Sequence, residues 1–143
     1  MPARTWGFQL IPNLVTFQLT PHRKPAIFIG SSIDDWRAFP LEVQDDMGHA
    51  LDDLQAGGFP VGAKRLAKLG AGIVELIERF DGDTYRGVCV VAFPEAVYVL
   101  HAFKKKSKSG IAMPPKDVER IQKRLKTAEE AHAAYERDQD RGR

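Results

Sequence analysis

The chain has 143 residues, 43% of them hydrophobic and 28% charged, with a formal net charge of +2. Those values describe one ordinary globular domain with a core of its own, and they exclude a low-complexity or collagen-like chain. The single cysteine excludes an intrachain disulfide and any multi-cysteine metal centre, and no apolar run approaches the roughly 20 residues that span a bilayer.

Residues 1–22 are hard to place. Thr16 to Thr20 alternates like a short strand, but Pro12 and Pro21 bracket it closely. The reading is a poorly ordered extension, followed by one domain over residues 23–135 and a charged tail over residues 136–143. No charged segment leads into a clean apolar run near the start, so a secretory signal is not expected and a cytoplasmic location is the default.

Pro25 to Ile29 is a short apolar run ended by Gly30, and it reads as the first strand. Ser31 and Ser32 follow as candidate N-caps, each with an aspartate three residues later, in the manner of a capping box. A short helix is expected to about Phe39. Pro40 suits the first turn of a second helix, in which Val43, Met47, Ala50, Leu51 and Leu54 make one apolar stripe. Gly57-Gly58 ends it. Residues 59–72 read as a glycine-rich loop carrying Lys64, Arg65 and Lys68.

A three-stranded antiparallel meander is expected next, over Ile73–Phe80, Tyr85–Val91 and Val97–Phe103. Asp81-Gly82-Asp83 and Phe93-Pro94-Glu95-Ala96 form its turns. Cys89, in mid-strand, reads as a small buried hydrophobe. Pro114-Pro115 opens the last helix, whose inner stripe is Val118, Ile121, Leu125 and Ala128. Lys116, Arg120, Lys123 and Arg124 are placed on or near its outer face. That helix is expected to fade near Tyr135. The fold class is therefore α+β: an N-terminal strand and α-helical hairpin, an antiparallel meander, and a C-terminal helix.

The charge is unevenly spread. From Asp34 to Gly58 seven acids face one base, leaving −6, and from Lys104 to Lys126 nine bases face two acids, leaving +7. Such asymmetry points to a basic surface for a polyanion and an acidic one kept off it. No phosphate-binding glycine loop, dinucleotide fingerprint, zinc-protease helix or nucleophile elbow is present, and the four histidines show no ligand spacing. Neither a metal nor a cofactor is expected.

What remains is a set of side chains that strand alternation brings together. Val97, Val99, His101, Phe103 and Lys105 would share one face of the last strand. Arg86, Val88 and Val90 would share it on the middle strand, and Glu75 and Ile77 on the first. Tyr85, Cys89, Tyr98 and Leu100 would then point to the core side. On that reading Glu75, Arg86, His101 and Lys105 line one surface. Cleavage of RNA by its own 2′-hydroxyl needs a base, charge at the phosphorane and an acid for the leaving oxygen. Glu75 or His101 could act as base or acid, and Arg86 and Lys105 could hold the phosphate. Lys64, Lys68, Lys104, Lys106 and Lys108 are candidate RNA contacts. The duller readings are a cross-strand Glu75–Arg86 ion pair, a half-buried structural His101, and lysines that only solvate a strand end.

The order of these segments resembles the RelE/ParE superfamily of toxins, and most closely its HigB-type, phage-related branch. The likeness is carried by Gly30-Ser31-Ser32 with Ala38-Phe39-Pro40, Ala63-Lys64 through Glu75-Leu76, Gly82 to Arg86, and Tyr98 to Lys108. It implies a microbial RNase-like fold, cleavage of mRNA in the ribosomal A site, and neutralisation by a helix-turn-helix antitoxin. It implies phosphate contacts for Arg86 and Lys105. Glu75 and Ile77 stand where RelE proper has lysines, and the C-terminal tyrosine of RelE has no counterpart, its place falling near Ile111. The general base is thus left open. So are the ParE-like alternative, a non-enzymatic inhibitor of DNA gyrase, and a plain RNA- or ribosome-binding module.

Overall fold

The structure is a computed structural model that describes residues 23–105 and 113–142. The N-terminal extension over residues 1–22, Lys106 and Lys108 lie outside the described residues. In chain order the elements are β1 (Ala26–Phe28), α1 (Ser32–Arg37), α2 (Leu41–Gln55), β2 (Lys64–Arg65), β3 (Ile73–Phe80), β4 (Asp83–Val90), β5 (Val97–Lys105) and α3 (Pro115–Arg141). The strands form one five-stranded sheet in the order β1-β5-β4-β3-β2. All neighbours are antiparallel except β1 and β5. The chain crosses from β1 to its parallel neighbour through everything in between, as a parallel pairing requires.

The sheet is covered on both faces. On one, Trp36 of α1 and Val43, Met47, Leu51 and Leu54 of α2 pack on Val74, Leu76, Tyr85, Cys89, Val97 and Val99. On the other, Ile121 and Ala128 of α3 pack on Ile73, Val88, Val90, Tyr98 and Leu100. The expected mixed α+β architecture is the observed one. Asp81 (φ 53°) and Gly82 (φ 83°) both take the left-handed conformation and join β3 to β4 as a two-residue hairpin turn.

The structure corrects local expectations in five places. Ser31 and Ser32 do not cap α1 through their side chains. Ser32 instead donates to the Val99 carbonyl at 3.1 Å, and Ser31 Oγ accepts from Arg124 at 2.8 Å. Lys64-Arg65, expected in a loop, is an edge strand paired with Val74 and Glu75. The last helix continues past Tyr135 to Arg141. Arg124, placed near the outer face, turns inward to the Leu100 carbonyl.

The fifth correction concerns the faces of β5. Val88 pairs with His101, but the next residue, Cys89, pairs with Val99. Leu100 is the extra residue of a β-bulge, which breaks strict alternation. Val97 and Val99 therefore lie under the helical hairpin with Cys89, not with His101. Tyr98 and Leu100 face α3 rather than the Tyr85–Cys89 side.

Candidate nucleic-acid interface

Beyond the bulge the α3-facing side of the sheet carries the polar groups. Register aligns Lys64, Glu75, Val88 and His101 in one row across β2, β3, β4 and β5. The next row on this face is Ile77, Arg86 and Phe103, and Lys105 follows on β5 opposite Thr84. Side chains two residues apart on a strand share a face, so Lys64, Glu75, Arg86, His101 and Lys105 are all brought to one side. Lys64 thus joins the set through the edge strand.

Arg86 reaches diagonally to Glu75, with Nη1 2.9 Å from Oε1, and the two side chains are only 13% and 5% exposed. Arg86 Nε is enclosed without a hydrogen-bond partner among the described residues. Lys105 titrates below the ordinary lysine range. Desolvation is the main cause, followed by the charge of Arg86; Glu75 acts in the opposite sense and Lys64 adds to the lowering. The ammonium, the guanidinium, the second lysine and the carboxylate are therefore within electrostatic reach of one another.

Lys104 is on the other side. It pairs across the ladder with Tyr85 and forms an ion pair with Asp83 at 3.1 Å. Alternation thus splits the adjacent lysines of the strand end. Lys68 is exposed in the turn between β2 and β3, and no strand aims it at this face.

His101 is buried. Its Nε2 is 2.7 Å from Asp117 Oδ1, its ring stacks on Phe103 at 4.9 Å, and its Nδ1 is enclosed without a partner among the described residues. Burial disfavours the charged imidazole and outweighs the Asp117 carboxylate, with Arg124 and Arg120 adding to the effect, so His101 titrates below its ordinary 6.5. A neutral imidazole facing a carboxylate carries its proton on that nitrogen, so Nε2–H donates to Asp117.

Asp117 and Arg124 were not singled out from the sequence as site residues. Both belong to the stripe that carries Ile121, at spacings of four and three residues, and that periodicity was the available signal. Arg124 donates to the Leu100 carbonyl at 3.0 Å and to Ser31 Oγ at 2.8 Å, tying α3 to the bulge and to the start of α1. Gly30 (φ 60°) makes the sharp turn there, and a Cβ would come within 3.0 Å of the Arg124 guanidinium. An open groove of about 610 Å³ lies beside the outer edge of β5, between α1 and the start of α3.

Among the described residues no three His, Cys, Asp or Glu side chains are grouped to hold a metal ion, and no helix is long and apolar enough to cross a membrane. No curated protein and no solved structure matches the chain. The family model for phage derived protein Gp49-like (DUF891) matches residues 34–126, from α1 through the buried Glu75–Arg86 pair to the middle of α3. The chain belongs to this Gp49-like family, a family of RelE/HigB-like toxins.

Proposed function

We propose that this protein is the toxin of a toxin–antitoxin pair and acts in the cytoplasm as a metal-independent endoribonuclease on ribosome-bound mRNA. A helix-turn-helix antitoxin would neutralise it. The observation that carries this reading is the gathering of Lys64, Arg86 and Lys105 around a buried carboxylate, Glu75, on one sheet face. A structural ion pair alone does not call for two further cations on that face, and cations so placed suit a phosphodiester.

The geometry supports the following chemistry. Arg86 and Lys64 hold the scissile phosphate, and Arg86 stabilises the charge that grows on its oxygens. Glu75, the carboxylate among these cations, takes the proton of the 2′-hydroxyl, whereas His101 has its Nε2 committed to Asp117. The 2′-oxygen forms a bond to phosphorus as the bond to the 5′-oxygen breaks. Lys105, with its affinity for the proton lowered by desolvation and by Arg86, gives a proton to that leaving oxygen. The products are a 2′,3′-cyclic phosphate and a free 5′-hydroxyl.

The test is expression in bacteria with mRNA 5′ ends mapped by primer extension. Arg86→Lys keeps a cation beside Glu75, so loss of function in it reports chemistry rather than unfolding. It and Lys105→Ala should each lower cleavage by about 100-fold, the usual cost of one transition-state donor. Full cleavage in both variants would refute the site. Growth arrest without new mRNA ends, accompanied by DNA breaks, would replace the nuclease reading with gyrase inhibition.

A further inference from the structure

We propose that the groove along the outer edge of β5 receives one amino-bearing nucleobase of single-stranded RNA, and so disfavours uracil. The proposal rests on the RNA-directed reading above and adds a specificity site to it.

The groove exists because β1 is short. It pairs with β5 only at Val97, Tyr98 and Val99, before the chain turns at Gly30 into α1. From His101 onward β5 has a strand neighbour only on its β4 side among the described residues. The ends of α1 and α3 wall the space left over, and its volume of about 610 Å³ falls in the usual range for a small-ligand site.

The lining is chemically mixed. Asp35 and Asp117 supply carboxylates, Lys104 and Arg120 supply cations, and Phe103, with His101 stacked on it, supplies a flat wall. Two carboxylates repel a phosphate that binds alone, and four charged side chains do not suit an apolar peptide. A nucleotide uses both sets. Its ring lies against Phe103, its amino group donates to a carboxylate, and its phosphate lies toward the cations. Adenine, cytosine and guanine carry an exocyclic amino group. Uracil has a single N–H between two carbonyl oxygens, and those oxygens oppose the carboxylates. Position supports the assignment as well. Phe103 is the cross-strand partner of Arg86, so the groove adjoins the phosphate-holding residues at one strand spacing, about 5 Å.

The experiment titrates the full chain with fluorescein-labelled 2′-O-methyl pentanucleotides of adenosine, cytidine or uridine, which lack the attacking hydroxyl and are not cut. The adenosine and cytidine pentamers should bind about tenfold more tightly than the uridine pentamer, as expected for a hydrogen bond to an ionised acceptor. Asp35→Asn should remove most of that preference. Arg120→Ala should weaken all three pentamers alike. Equal binding of the three, no binding at all, or a preference that survives both Asp35→Asn and Asp117→Asn would overturn the proposal. The two readings fail separately. Base preference without mRNA cleavage would leave the groove standing and remove the nuclease, whereas mRNA cleavage without base preference would do the reverse.

Discussion

Glu75 is a carboxylate with 5% of its side chain exposed, and Arg86 is the cation that makes that position tolerable. Breaking a buried ion pair from one side strands a charge, whereas replacing both members with apolar groups does not. Arg86→Ala should therefore lower stability by about 3–5 kcal/mol, read by urea denaturation. The Glu75→Leu, Arg86→Leu double variant should be more stable than Arg86→Ala. A double variant less stable than Arg86→Ala would show that the pair contributes more than mutual neutralisation. His101 gives a prediction of different sign. Its folded-state affinity for a proton is reduced, chiefly by burial, below the ordinary value of 6.5. Below that pH the unfolded chain takes up a proton that the folded chain resists, so stability is present above it and is lost as pH falls through it. Glu95 also titrates below its ordinary 4.5; burial opposes that shift, and the hydrogen bonds from Tyr98 and His132 prevail. Its contribution is lost only in the more acidic window. The melting temperature should fall between about pH 7.5 and 5.5, and His101→Phe should flatten that slope. An unchanged slope would place the proton uptake at another residue.

The elements fit together through close approaches that composition does not announce. Gly87 lies on β4 beneath the helical hairpin, and a Cβ there would come 3.0 Å from Met47 Sδ and 3.3 Å from Trp36 Cζ3. Both neighbours are buried. Gly87→Ala should therefore cost about 1–3 kcal/mol through overpacking, measured by thermal or denaturant unfolding. A neutral effect would mean that α1 and α2 can move off the sheet at little cost. The strands, the helical hairpin and the last helix were legible because periodicity and turn residues report an element directly. The bulge was not. It depends on how Val88 and Cys89 register against β5, which no single strand's pattern contains. Its consequence is uneven: strict alternation puts Val97, Val99, Tyr98 and Leu100 on the wrong sides, while His101, Phe103 and Lys105 lie beyond the bulge and keep the expected relation to Arg86. The edge strand at Lys64-Arg65 escapes the sequence because two residues are too few to show alternation. The inward turn of Arg124 escapes it because a basic residue in a basic helix looks like solvated surface.

Across the whole molecule the charge separation seen in the sequence becomes a separation of faces. The acids of α2 are mostly exposed on the covering layer of one sheet face, while Lys64, Arg86 and Lys105 belong to the other. Single-stranded nucleic acid releases counterions as it binds cations, and the logarithm of affinity falls with the logarithm of salt by about 0.7 per phosphate neutralised. Three phosphates would give a slope of about −2. Lys64→Ala, which leaves Arg86 on the shared phosphate, should make that slope shallower by at most about 0.7, without changing which base is preferred. Asp45→Lys with Asp46→Lys reverses charge on exposed positions of α2, which covers the sheet face opposite the site. At physiological salt the screening length is about 8 Å, so affinity should change by no more than about twofold. At roughly 0.01 M salt the screening length reaches about 30 Å, and the same pair of substitutions should then strengthen binding severalfold. A large effect at physiological salt would mean that RNA contacts the helical hairpin directly, and the assignment of the interface to the opposite face would then be wrong.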